Sequence, residues 1–242
     1  MKLKHITFTG IDARTAINDL VDIQREFPIA EFGVLTSYHW HENGNRYPDP
    51  RLICNLWNKK LNLAIHVCGR AATDAVVGYW DIINEHLMYC LGLFDRVQLN
   101  IANRTDIDIP YRLASTPTRN TEVIIQQKDI RNIELFENSK RMNASVLLDA
   151  SGGQGIDTPI EVLPNVSNDG VSRFKVGYAG GINPDNVGDK LTYLLGNKLV
   201  GDFWIDMESG VRTDDWFDTD KVRQVLRICK EVMKNYLGVE EK

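Results

Sequence analysis

Two carboxylates and three glycine-rich turns are the residues of this sequence best suited to chemistry. Asp149 ends an apolar run directly before the turn 151–155, and Asp206 ends another shortly before the turn 209–211, which reads Ser-Gly-Val. A third turn, 180–184, reads Gly-Gly-Ile-Asn-Pro. Backbone N–H groups beside glycines and helix N-termini bind anions, and packing rarely explains a carboxylate at the end of an apolar strand. The pattern predicts a phosphate-binding site with Asp149 and Asp206 beside it.

The elements that position these residues alternate between strand and helix along the chain. The predicted strands are 5–9, 29–37, 63–68, 96–101, 123–127, 145–149, 175–179 and 203–207. The predicted helices are 13–27, 50–61, 73–93, 131–142, 184–195 and 219–237, and 102–120 is expected to form a loop with a short or irregular helix. Roughly eight strand-helix units predict a single (β/α)8 TIM barrel in one domain, residues 1–242.

Polar residues on one face of five predicted strands favour a barrel that holds a ligand at its mouth. They are His5, Thr7 and Thr9; His66 and Cys68; Gln98 and Asn100; Ser145 and Asp149; and Asp206 and Glu208. The opposite face is almost purely apolar. Alternate residues of a barrel strand point inward, and barrel active sites lie at the C-terminal strand ends. An open doubly wound sheet is the alternative, but its glycine-rich fingerprint would follow the first strand, whereas these turns come late.

Three segments in the C-terminal half carry a family resemblance: 147–155, 179–187 and 206–211, with weaker matches at 8–10, 46–47 and 97–99. They resemble the phosphoribosylanthranilate isomerase family, the ribulose-phosphate-binding barrels of tryptophan synthesis. The resemblance implies that Arg46 faces the anthranilate carboxylate and that Asp206 accepts a hydrogen bond from the ligand. It also implies a set of residues that hold the substrate phosphate: Gly155, Gly180, Gly181, Ser209 and Gly210.

The family reaction is an Amadori rearrangement of an N-ribosyl phosphate, which needs an acid for the ring oxygen and a base for the C2 proton. The resemblance assigns the acid to Asp149 and the base to a cysteine at the end of the first strand. Thr9 occupies that position here. A threonine hydroxyl has no accessible anion near neutral pH, whereas a thiol with a pKa of about 8.5 has one. Thr9 is thus open to a catalytic, a binding or an inert role. Cys68, on the same strand face as His66, is either a replacement base or a packed core thiol.

The second loop, 36–46, is long and rich in aromatic residues and histidine, so it is a candidate lid. His39 and His41 allow a metal hypothesis, but the pair lacks the spacing of a helical metal motif, and a solvent-facing or substrate-contacting loop is favoured. No metal or cofactor is predicted. Arg212 follows the Ser-Gly-Val turn where the family commonly carries an acid, which suggests an altered ligand.

Composition limits the remaining function classes. The net charge of −5 without a long basic run argues against nucleic-acid binding, and the absence of an apolar stretch of about 20 residues argues against a membrane protein. The four cysteines are scattered, as in reduced thiols of a cytoplasmic protein. We expect a monomer or homodimer that binds a phosphorylated small molecule and isomerises it with Asp149 as the acid. A non-catalytic binder or sensor is the alternative. An aldol-type lyase would need a Schiff-base lysine, which the predicted strand ends do not offer.

Overall fold

Eight parallel strands close into a barrel in the computed structural model, which describes residues 2–38, 44–76, 94–101, 121–128, 144–159, 175–196 and 202–240. The strands are β1 (Lys2–Thr9), β2 (Ala30–Thr36), β3 (Leu63–Val67), β4 (Arg96–Leu99), β5 (Glu122–Gln127), β6 (Ala144–Asp149), β7 (Lys175–Ala179) and β8 (Asp202–Met207). Each strand pairs with the next, and β8 returns to pair with β1. The predicted TIM barrel is confirmed, and the open sheet is excluded.

Five described helices lie between or after the strands. They are α1 (Ile17–Glu26), α2 (Pro50–Trp57), α3 (Gly69–Val76), α4 (Val187–Gly196) and α5 (Thr219–Glu240). Proline at its first position and Asp49, whose side chain accepts from the Arg51 N–H at 2.7 Å, define the start of α2. α3 begins four residues earlier than predicted. The predicted helix 131–142, the segment 102–120, and His39 and His41 all lie outside the described residues.

The main hydrophobic core lies between the barrel and its helices, and a second, smaller cluster fills part of the barrel interior. The interior cluster consists of Ile124, Leu147 and Trp204. Gly177 makes room for the indole, because a Cβ at this position would lie 2.1 Å from the Trp204 ring. The strand faces predicted to be apolar, such as Ile65 and Val67, belong to the main core. The alternate faces are therefore free to place polar groups inside the barrel.

A short 3-10 helix (Ser209–Val211) and a hairpin of β9 (Arg212–Thr213) and β10 (Trp216–Phe217) follow β8 and were not predicted from the sequence. This segment places Ser209 at the barrel mouth. Among the described residues, no helix combines the length and apolar character that crossing a bilayer requires.

Candidate active site

A cavity of about 620 Å³ opens at the C-terminal end of the barrel. Each of the eight strands, or the turn directly after it, contributes lining residues. Nine of the ten residues predicted for the site line this one cavity: Thr9, Arg46, Cys68, Asp149, Gly155, Gly180, Gly181, Asp206 and Ser209. The tenth, Gly210, is not among the lining residues and packs against the backbone of Ile182. The barrel thus brings together groups that are up to 200 residues apart in the sequence.

Asp149, at the end of β6, accepts a hydrogen bond from four donors. Its Oδ1 accepts from the Ser151 N–H at 3.1 Å and the Ser151 hydroxyl at 2.6 Å. Its Oδ2 accepts from the Gln126 amide at 2.7 Å and the Gly153 N–H at 2.6 Å. The backbone N–H groups can only donate, whereas a hydroxyl can also accept. The Ser151 hydroxyl is therefore a partner that can also accept a hydrogen bond from Asp149.

Asp206, on β8, is nearly solvent-inaccessible although it lines the cavity. The Thr9 hydroxyl donates to its Oδ1 at 2.9 Å, and its Oδ2 lies 4.0 Å from His66 Nδ1. Burial raises the pKa of Asp206 to about 7; the Thr9 hydrogen bond lowers this pKa, and the nearby Glu208 charge raises it. Asp206 is therefore a carboxyl group that both gains and loses a proton near neutral pH.

His66, on β3, is a neutral side chain in this cavity. Burial is the main cause that lowers its pKa to about 3, and the positive charge of Arg96 acts in the same direction. The Gln98 amide lies 3.1 Å from Nδ1, and Nε2 has no hydrogen-bond partner among the described residues. A ring with so low a pKa is a poor base at neutral pH.

Cys68 directly follows β3 and remains a thiol at neutral pH. Burial raises its pKa to about 11, hydrogen bonds from Tyr47 and Asn100 lower it, and the Glu208 charge raises it. The Asn100 amide donates to Sγ at 3.2 Å. The thiolate that a catalytic base would require is therefore scarce, and the geometry favours the packed-thiol alternative for Cys68.

Glycines allow the turns after β6, β7 and β8 to approach one another closely. A Cβ at Gly155 would lie 2.2 Å from the Ser209 hydroxyl oxygen, and one at Gly181 would lie 2.3 Å from the Asp157 Cα. Gly181 also has a φ of +61°, in the left-handed region that favours glycine. The three turns therefore form one continuous wall of the cavity, with backbone atoms close to its surface.

A buried lysine on α4 connects two of these turns. Lys190 donates through Nζ to the carbonyl of Thr158 at 2.7 Å and to that of Gly180 at 3.2 Å, and it pairs with Asp157 at 2.8 Å. These bonds direct carbonyl groups towards α4. Lys190 is therefore a positioning residue for the turns, and it is absent from the cavity lining.

Arg46 lines the cavity, but its guanidinium is already paired with two carboxylates. Nη1 lies 2.6 Å from Glu208 Oε1, and Nη2 lies 2.8 Å from Asp215 Oδ1. These pairs link the second loop to the segment after β8. A ligand carboxylate at Arg46 would have to compete with both partners.

Comparison with known proteins assigns the family. The model of the N-(5'phosphoribosyl)anthranilate (PRA) isomerase family matches residues 104–227, just over half of the chain. The chain belongs to this family. The N-(5'-phosphoribosyl)anthranilate isomerase of Lacticaseibacillus paracasei is 29% identical over 153 residues, and that of Lacticaseibacillus casei BL23 is 28% identical over 153. Either match covers 62% of this chain and 66% of the relative, just under two thirds of each.

Solved structures that resemble this chain share its barrel fold. The N-(5'-phosphoribosyl)anthranilate isomerase of Pyrococcus furiosus has a TM-score of 0.57 and 18% identity, and the alignment covers 94% of this chain and 98% of that one. A truncated 3-deoxy-D-arabino-heptulosonate 7-phosphate synthase of Thermotoga maritima has a TM-score of 0.58 and 10% identity, with 97% and 87% covered. At these identities the likeness shows the barrel alone.

The hypothesis that Arg212 indicates an altered ligand for this PRA isomerase family member is not supported. Arg212 is absent from the cavity lining. Its guanidinium is buried and lies 3.0 Å from Asp12 Oδ2, and it donates to the Gly10 carbonyl. Asp12 also accepts from the Phe217 N–H at 2.6 Å. The pair joins the turn after β1 to the hairpin after β8, which is a structural role.

Lys128 lies one residue beyond a predicted strand end and bears on the prediction that these ends offer no Schiff-base lysine. Lys128 directly follows β5, and its side chain passes over Gly152, where a Cβ would lie 1.9 Å from Lys128 Cε. Lys128 is exposed and is absent from the cavity lining. The position does not provide the desolvated lysine that Schiff-base chemistry requires.

Two residues that matter to the site were missed. Gln126 binds Asp149 and lies on the same strand face as Glu122, but β5 carries glutamine on both faces, at 126 and 127, so alternation alone does not identify it. Lys190 had no signal either, because a lysine on an amphipathic helix normally faces solvent. Within the described residues, no group of three or more metal-ligating side chains is present.

Proposed function

We propose that this protein catalyses the Amadori-type isomerisation of a phosphorylated ribosyl amine, with N-(5'-phosphoribosyl)anthranilate as the first substrate to test. The observation that carries the proposal is that Asp149 and Asp206 line one cavity together with the glycine-rich turns after β6, β7 and β8. Family membership supports the same reaction class. Acid-base isomerisation needs two titratable groups beside a bound sugar phosphate, and this cavity offers both.

The substrate phosphate is proposed to bind at the wall formed by Gly155, Gly180, Gly181 and Ser209. Backbone amides exposed by glycines stabilise a dianion without a side-chain charge. In the described part of the chain, no lysine lines the cavity, and its lining arginine, Arg46, is paired with carboxylates. Amides and the Ser209 hydroxyl therefore remain as the donors suited to phosphate.

Asp149 is proposed to protonate the ring oxygen of the bound sugar. Ring opening then forms a C=N bond at C1, because the nitrogen lone pair replaces the broken C–O bond. The Ser151 hydroxyl, 2.6 Å from Asp149 Oδ1, can accept a hydrogen bond from the protonated carboxyl, because a hydroxyl both donates and accepts.

The test is turnover of N-(5'-phosphoribosyl)anthranilate by the wild type and by Asp149→Asn, with product separated by chromatography. We expect kcat to fall by about 10²- to 10⁴-fold, the usual contribution of a general acid. Asp185→Asn is the matched control, because Asp185 is exposed and absent from the cavity lining. Full activity in Asp149→Asn would remove Asp149 from the mechanism.

A non-catalytic binder remains the second candidate, and the observation in its favour is Thr9 at the position of the family's cysteine base. The same assay separates the two functions. Steady conversion by the wild type supports the enzyme. A ligand that is retained and recovered unchanged after long incubation supports the binder.

A further inference from the structure

The hydroxyl of Thr9 lies one hydrogen bond from a carboxylate. Thr9 ends β1, and its Oγ1 donates to Asp206 Oδ1 at 2.9 Å. The two residues are on neighbouring strands, because β8 pairs with β1 and Thr7 is in register with Asp206. A cysteine at position 9 would place its sulfur close to the Thr9 Oγ1 site, since both atoms are bonded to Cβ. The Asp206 carboxylate therefore lies next to the place where the family positions its base.

We propose that Asp206 is the base that removes the C2 proton, and that Thr9 is a positioning residue that holds its carboxylate at the cavity wall. This inference rests on the proposed isomerase function and supplies the base that the substitution at position 9 leaves unassigned.

The step balances without any further reactant. After ring opening, the Asp206 carboxylate takes the proton from C2, and the C2–H electron pair forms a C1=C2 double bond. The electrons of the C1=N bond move to the nitrogen, which loses its positive charge. Asp206 is left as the neutral acid. The resulting enol gains a proton at C1 from the neutral Asp206 and gives its hydroxyl proton to the Asp149 carboxylate left by ring opening. This forms the ketone and restores both residues, so the product is an isomer of the substrate.

Other candidate bases in the cavity are engaged or poorly suited. The Cys68 thiol is half-buried and accepts from Asn100 at 3.2 Å. His66 is a neutral ring whose Nδ1 lies 3.1 Å from the Gln98 amide. Glu208 is engaged in an ion pair with Arg46 at 2.6 Å. Asp206 differs from all three, because no lysine or arginine of the described residues lies at ion-pair distance from it, and His66, 4.0 Å away, is neutral.

The groups around Asp206 come from four other strands, β1 to β4, and from the position directly after β8. Thr9 faces it from β1 and His66 from β3, and Glu208 follows it directly after β8. Deeper in the barrel, the charge of Glu31 on β2 raises the pKa of Asp206, and the charge of Arg96 on β4 lowers it. Burial is the largest cause that moves the pKa of Asp206 to about 7, so the basic form is available at neutral pH.

The experiment measures pH profiles of kcat/KM with N-(5'-phosphoribosyl)anthranilate for the wild type, Asp206→Asn and Thr9→Val. In Asp206→Asn we expect kcat to fall by about 10²- to 10⁴-fold. In the profile of kcat/KM against pH, the rising limb is the rise in rate as the base loses its proton. In Thr9→Val we expect this limb to move to higher pH by about one unit, because the hydrogen bond that stabilises the carboxylate is lost. Adding Thr9→Cys to Asp206→Asn should recover at least about tenfold of the lost rate.

Two outcomes would overturn the assignment while the wild type is active: a kcat of Asp206→Asn within threefold of the wild type, or an unchanged rising limb in Thr9→Val. A purely structural role of Thr9 would lower activity without moving this limb. Asp185→Asn again serves as the control outside the cavity. Absence of any turnover by the wild type is a different result, because it would reject the proposed function itself.

Discussion

Asp206 should destabilise the folded protein as pH rises, and Asp206→Asn should remove this effect. Burial raises the pKa of Asp206 from 3.8 to about 7. Between about pH 4 and 7, the folded protein keeps a proton on Asp206 that the unfolded chain has released, so the free energy of unfolding falls through this interval. At about 1.4 kcal/mol per pH unit, the loss reaches at most about 4 kcal/mol. For a chain of this length, that corresponds to a change in Tm of at most about 8–16 °C.

The assay is the Tm of the wild type and of Asp206→Asn measured from about pH 3 to 8.5. Below about pH 4 the wild-type carboxyl is protonated in both states, so the difference in Tm reports only the exchange of the acid for an amide beside Thr9. We expect Asp206→Asn to become progressively more stable than the wild type as pH rises to about 8. Asp185→Asn corrects for the loss of one carboxylate, because Asp185 is exposed. A Tm difference that stays constant or falls with pH would refute the reasoning.

Further expectations concern the glycine-rich turns and the buried ion pair. Gly181→Ala should lower stability and raise KM, because its Cβ would lie 2.3 Å from a backbone atom. Gly69→Ala is the control for φ strain alone, because Gly69 has a similar φ of +63° and no atom of the described residues lies within 4 Å of its Cβ position. If both variants lose stability equally, close approach of the turns is not the cause. Arg212→Met should lower the free energy of unfolding in urea by about 3–5 kcal/mol, because the charge of Asp12 is left buried without its cation. Arg25→Met, at an exposed ion pair, should lower it by less than about 1 kcal/mol. Equal costs for the two arginines would contradict this.

Strand positions could be predicted closely because a barrel strand has two distinct faces. The predicted 175–179 matches β7 (Lys175–Ala179), and the other strands differ by a few residues at their ends. The predicted helix starts differ more from the structure than the strand positions do. α1 begins at Ile17 instead of residue 13, because apolar spacing continues into the preceding turn, where Asp12 and Thr15 bind each other. Periodicity reports which face is buried and does not report where the backbone hydrogen bonds begin.

The location of the site was predictable, but the partners of its side chains were not. Strand alternation placed Thr9, Cys68, Asp149 and Asp206 at the barrel mouth, and the structure places all four in one cavity. The hydrogen bond between Thr9 and Asp206 joins residues 197 positions apart, and it depends on the register with which the barrel closes. The polar and apolar pattern within a single strand does not determine this register. For the same reason, the pairing of Arg46 with Glu208 was not foreseen.

A layer of charged side chains crosses the barrel beneath the cavity and explains why burial controls Asp206. Arg96 pairs with Glu31 at 2.5 Å and lies 3.4 Å from Glu122, which pairs with Lys175 at 3.3 Å. Within this layer, the charges of Glu31 and Arg96 change the pKa of Asp206 in opposite directions, and each has a smaller effect than burial.

The occupant of the cavity should therefore shift the Asp206 titration. A bound phosphate ester displaces water and brings negative charge, and both changes favour the protonated carboxyl. Since kcat/KM reports the free protein and kcat the complex, the rising limb of kcat should lie at higher pH than that of kcat/KM. If the rising limbs of kcat and kcat/KM coincide, the ligand neither displaces water around Asp206 nor adds charge near it. The phosphate would then have to bind away from the wall formed by the three turns.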